Sequence, residues 1–151
     1  MREQKSEFYQ LLQQQAQSLI EDETDLIANM ANLSALLFNE MPDLNWSGFY
    51  ILRQGELVLG PFQGKPACVR IPVGKGVCGT AVATGDIQLV KDVHEFPGHI
   101  ACSSLSRSEI VVPLIHNGAV VGVLDVDSSE LDQFDETDKL YLEKIVSLIN
   151  W

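Results

Sequence analysis

EIVVPLIHNGAVVGVLDVD, residues 109–127, decides the fold. Asn117-Gly118 accept positive φ at both central positions of a type I′ turn. Apolar, β-branched runs flank them, so the stretch reads as a β-hairpin. Side chains alternate along a strand, which puts Val121, Val123, Asp125 and Asp127 on one face. Two carboxylates two residues apart then stand about 7 Å from each other at the end of an otherwise apolar strand. Counting outward from the turn, Glu109 falls roughly opposite Asp125 to Asp127, so three carboxylates converge.

Upstream, IQLV (87–90) reads as a further strand and Asp92 to Ser108 as an irregular loop. SGFYILR (47–53), ELVLG (56–60) and ACVRI (67–71) are short β-type runs separated by Gln54-Gly55, Gly60-Pro61 and Gly64-Lys65-Pro66. Trp46 and Tyr50 share a face with Gly48 between them. Two aromatic walls over bare backbone predict a slot for a methyl group or for a cation over the rings.

Helices bracket these strands. From about Glu3 to Leu19 apolar residues recur at helical spacing without Gly or Pro. After Glu21-Asp22-Glu23-Thr24, a helix start, Leu26, Ile27, Met30, Leu33, Leu36, Leu37 and Met41 form one apolar stripe ended by Pro42. FDETDKLYLEKIVSLI (134–149) closes the chain as an amphipathic helix capped by Asp135. Helix, helix, mostly antiparallel strands, helix is an α+β arrangement of a sheet packed against helices, in one domain spanning residues 1–151.

The 151 residues carry 21 acidic and 10 basic side chains, a net charge of −11. Such a surface repels phosphate backbones and anionic lipid, which removes nucleic acid and membrane as partners. No stretch has the length and apolarity to span a bilayer, and MREQKSEFYQ lacks the apolar core of a signal peptide, so the expected location is cytoplasmic.

Gly74-Lys75-Gly76-Val77-Cys78-Gly79 matches G-x-G-x-x-G, but Pro72 precedes it, its helix is short and hairpins surround it. It reads as a structural turn leading into a helix from Thr80 to Thr84 rather than a dinucleotide site. Cys68, Cys78 and Cys102 form no C-x-x-C pair, and with His94, His99 and His116 they complete no zinc pattern. No G-x-S-x-G occurs. Thiol chemistry remains. Cys78 opens a helix whose dipole lowers a thiol pKa, whereas Cys102 lies near Glu109 and Arg107; the residues alone favour Cys102 only slightly. Crowded carboxylates cannot all ionise cheaply, so one should hold a proton beside the thiolate.

NWSGFY (45–50), LGPFQGKPACVRIPVGKGVCGTA (59–81), DVHEFPGHIAC (92–102), SEIVVPL (108–114) and GVLDVDS (122–128) resemble the free methionine-R-sulfoxide reductases, stand-alone GAF-domain enzymes. The resemblance implies a central antiparallel six-stranded sheet flanked by helices, usually in a homodimer. It also implies thiol-dependent reduction of free methionine (R)-sulfoxide without a metal or organic cofactor. Position by position, it makes Cys102 the catalytic cysteine, Cys68 the main recycling one and Cys78 a secondary participant, with a thioredoxin-type reductant reopening the disulfide. Trp46, Tyr50, Glu109, Asp125 and Asp127 fall on the substrate pocket. Ser103, where many members carry an acid after the catalytic cysteine, and Leu105 depart from the pattern. Two other readings of the same chain are a non-catalytic small-molecule-sensing GAF module and a cysteine redox switch.

Overall fold

A computed structural model describes residues 2–99 and 105–151. Helices α1 (Arg2–Ile20) and α2 (Leu26–Glu40) are followed by strands β1 (Leu44–Arg53), β2 (Glu56–Gly64) and β3 (Arg70–Pro72). Then come helix α3 (Gly76–Thr84), strand β4 (Gln88–Val90), a 3-10 turn at Val93–Glu95, strands β5 (Ser108–His116) and β6 (Ala119–Ser128), and helix α4 (Glu136–Val146). The strands form one six-stranded sheet in the order β3-β2-β1-β6-β5-β4, every neighbouring pair antiparallel. No helix among the described residues is long and apolar enough to cross a membrane.

The sheet is buried on both faces by different partners. Phe49, Ile110, Val112, Leu124 and Val126 point into a core closed by α1, α2 and α4. Tyr50, Val111 and Val123 point the other way, toward Val77, Cys78 and Ala81 of α3. The stripe read in α2 holds at Met30, Leu33 and Leu37, all fully buried, while Ile27 is left half exposed. Helix α2 is capped by Asp25, one residue beyond the acidic run, through the Ala28 amide at 2.8 Å. Asp135 caps α4 as expected and forms a capping box with Asp138. Asp138 also accepts from Tyr9 and pairs with Lys5, tying α1 to α4, and Tyr9 stacks flat on Tyr141.

The hairpin forms as read, with Asn117 and Gly118 at φ 52° and 79°, but a bulge follows the turn. Ile115 pairs with Val120 whereas Leu114 pairs with Gly122, so Val121 is an extra residue on β6. Val121 consequently packs on the helix side, not on the face of Val123 and Asp125, correcting the simple alternation. The slip has a larger consequence. Without it Glu109 would face Val126 in the core; with it Glu109 pairs with Asp127 and Val111 with Asp125.

Gly122 is what allows this geometry, because a Cβ there would stand 2.5 Å from the Tyr50 carbonyl oxygen of β1. Gly122→Ala should destabilise the protein by about 1–3 kcal/mol, the usual range for overpacking. It should also lower activity by shifting β6 under the carboxylates. Urea unfolding checks the first effect, and an unchanged midpoint would refute the argument.

Two strands differ from their sequence reading. Strand β2 runs past Gly60-Pro61 to Gly64, because a second bulge opposite Gly48 to Tyr50 accommodates the proline. Strand β3 is shorter than ACVRI and starts at Arg70, since the Cys68 carbonyl accepts from the Tyr50 hydroxyl and leaves the ladder. Helix α3 begins at Gly76, inside the glycine turn rather than after it.

Candidate active site

Glu109, Asp125 and Asp127 reach the α3 side of the sheet together and are only 6–7% exposed. Burial pushes the Asp125 carboxyl well above the ordinary carboxylate range, and Asp127 and Glu109 add to the effect. Asp127 is raised by burial and by Glu109. Oxygens this close in a dry site cannot all carry charge, so the aspartates share retained protons as a coupled pair. One oxygen of Asp125, Oδ1, has no hydrogen-bond partner.

Trp46 and Tyr50 stand beside the carboxylates, but not as two separated walls. Their rings stack at 5.9 Å between centroids, and Trp46 also stacks on Phe62 of β2 at 5.2 Å. Gly48 makes room for these two neighbours: a Cβ there would collide with Phe62 and stand 2.8 Å from the Trp46 ring. The expected slot over bare backbone is therefore filled by protein, and the surface left to a ligand is the cavity-lining flank of the otherwise buried Trp46–Tyr50 stack. Both rings are anchored by their polar ends, the indole N–H to the Lys65 carbonyl at 3.1 Å and the Tyr50 hydroxyl to the Cys68 carbonyl at 2.8 Å. Burial foremost, then Asp125, keeps the Tyr50 phenol protonated and able to donate.

The cysteines separate by environment. Cys78 is a free, buried thiol in the first turn of α3. The expectation from the helix dipole fails here, because burial and then Asp125, Glu109 and Asp127 push this thiol well above its usual pKa. A partial charge at a helix end does not outweigh desolvation and three acids. Cys68 is half-buried and disulfide-bonded. Cys102 and Ser103 lie outside the described residues. Leu105 and Arg107 are exposed.

One cavity unites the aromatic pair, the three carboxylates and Cys78, and its rim adds Lys65, Lys75, His99 and Ser106. Sequence reading missed those four because loops carry them in and no periodicity marks them. The nearest available signal for Lys65 and Lys75 was their position in the glycine-rich segment between β2 and α3; His99 and Ser106 come from the loop before β5 and carried none. The set combines acids that retain protons, cationic groups at the rim and an aromatic flank, which suits a small zwitterion with an apolar end.

Comparisons with known proteins place the family and the fold. Residues 28–150 match the model of the GAF domain family. The free methionine-R-sulfoxide reductase of Escherichia coli is 52% identical over 143 residues, covering 95% of this chain and 87% of that protein. The X-ray structure of the free methionine-R-sulfoxide reductase from Neisseria meningitidis in complex with its substrate is 52% identical and superposes with a TM-score of 0.93 over 95% of this chain and 87% of that one. The reduced form of the fRMsr of Staphylococcus aureus is 57% identical with a TM-score of 0.91, over 93% and 92%.

Proposed function

We propose a mechanism for a chain that belongs to the free methionine-R-sulfoxide reductases, a family built on a GAF domain. The protein is an oxidoreductase that reduces the free R sulfoxide of methionine. The observation that carries the mechanism is the meeting of three buried carboxyl groups with the Trp46–Tyr50 stack around one cavity.

In this reading the substrate enters as a zwitterion. Its ammonium group is held by the carboxylates, its carboxylate meets Lys65 and Lys75 at the rim, and its S-methyl rests against the aromatic flank. The raised carboxyls of Asp125 and Asp127 supply the proton that the sulfoxide oxygen needs, which supports their role as the acid. The Cys102 thiolate attacks sulfur. The protonated oxygen then passes to the cysteine: an S–O bond to Cys102 forms as the methionine S–O bond and the transient sulfur–sulfur bond break, methionine leaves as the thioether with the electron pair, and Cys102 is left as a sulfenic acid. Cys68 condenses with it, releasing water and forming a disulfide, and a thioredoxin-type dithiol reopens that bond by exchange. The disulfide-bonded state of Cys68 and the hydrogen bond from Tyr50 to its carbonyl support this assignment, since they hold the recycling segment against the pocket. The high pKa of Cys78 makes it a poor nucleophile and assigns it a secondary part.

The test supplies the protein with each epimer of free methionine sulfoxide and an excess of dithiol, and follows methionine by chromatography. The R epimer is consumed and the S epimer is not, because inversion at sulfur moves the oxygen off the carboxyl donors. Equal consumption of both epimers, or of neither, would remove the reading.

A further inference from the structure

We propose that this cavity also binds one thiophilic divalent cation, Zn2+ or Cd2+, through the Cys78 sulfur and one carboxylate oxygen each from Glu109 and Asp125. The donors come from α3, β5 and β6, all three residues are buried, and their ligating atoms lie within 4.8 Å of one another. Bonds of about 2.3 Å to sulfur and 2.0–2.2 Å to oxygen put tetrahedral ligands roughly 3.3–3.8 Å apart, so a contraction of about an ångström closes the cluster on an ion.

An independent feature points the same way. Asp125 is 6% exposed and lines the cavity, yet its Oδ1 has no hydrogen-bond partner. A buried acceptor left unpaired has lost its hydrogen bonds to water without replacement, and a cation in the cavity would supply its partner. The donor set selects the ion. One thiolate and two carboxylates favour zinc or cadmium over magnesium or calcium, which take oxygen alone. Three protein ligands leave a fourth position facing the cavity for water. Binding is an acid–base exchange without electron transfer: the ion replaces the thiol proton and any protons on the two carboxyls, which pass to the buffer.

The ion site stands without the reductase chemistry, so its test reads binding rather than turnover. Oxidised protein, with Cys68 in its disulfide, is titrated with cadmium chloride. The ultraviolet thiolate-to-cadmium charge-transfer band is recorded, and calorimetry with zinc chloride gives the stoichiometry. One equivalent per chain and a band that saturates with it are expected. Cys78→Ser should abolish the band, and Asp125→Asn and Glu109→Gln should each weaken zinc binding at least ten-fold while excess magnesium does not compete. A wild-type protein without the band, or a folded Cys78→Ser protein that binds zinc as tightly as wild type, would overturn the proposal. The first of these outcomes needs no variant and is immune to a folding defect.

Discussion

Replacing either Asp125 or Asp127 by Asn should lower kcat/KM for free methionine (R)-sulfoxide by about 10²–10⁴-fold, the range for removing a general acid. The same change should leave the protein as stable at neutral pH, or more so. The two effects share one cause. Both carboxyls are buried and titrate above the ordinary range, so the folded protein carries groups that favour protonation more than they do in the unfolded chain. A folded-state pKa above the unfolded value gives stability that is full below the unfolded pKa, near 3.9 for Asp. That stability is lost as the pH rises through the folded value. At neutral pH the pair is therefore a stability cost, and in the proposed mechanism its retained proton is the one given to the sulfoxide oxygen. An amide in place of one carboxyl cannot ionise, and its N–H2 can donate to the remaining acid. Difference curves isolate the effect from other groups: variant minus wild-type unfolding free energy should rise from acid toward neutral pH. A variant that keeps activity within ten-fold of wild type, or a difference curve that falls with pH, would refute the assignment.

The sequence carried the local half of this site and hid the half made by neighbours. Asn117-Gly118 fixed the hairpin because a type I′ turn is a local demand on φ, and the aspartate pair followed from alternation. The register that brings Glu109 to Asp127 depends on the bulge at Val121. That bulge answers to the close approach of Gly122 to the Tyr50 carbonyl on another strand, a contact no hairpin count contains. Gly48 failed as a predictor of an open slot for the same reason, since the ring occupying the space, Phe62, arrives on β2. Cys78 was misread because a helix start is visible in a sequence, whereas acids delivered by β5 and β6 are not. The fold was legible because turns, caps and apolar stripes are local; the electrostatics were not, because they are sums over elements far apart in the chain.

The three cysteines should separate cleanly in a reaction given substrate but no reductant. Wild-type protein should yield about one methionine per chain and stop with Cys68 in a disulfide, because the oxidised pair has no route back. Cys102→Ser should yield none, since an alcohol at neutral pH has neither the ionisation nor the nucleophilicity of a thiolate. Loss of steady-state turnover should reach the background rate. Cys68→Ser should still yield about one methionine, but end as a sulfenic acid on Cys102 that a dimedone-type reagent labels, with turnover lost when only a thioredoxin-type protein is supplied. Cys78→Ser should pass both phases within a few-fold of wild type, because burial and the neighbouring acids disfavour its thiolate. Methionine counted by chromatography and adduct mass read on the intact chain distinguish these cases. A full first turnover in Cys102→Ser would move the nucleophile elsewhere, and a full first turnover lost only in Cys78→Ser would place it at the buried thiol, against the carboxyl environment described for it.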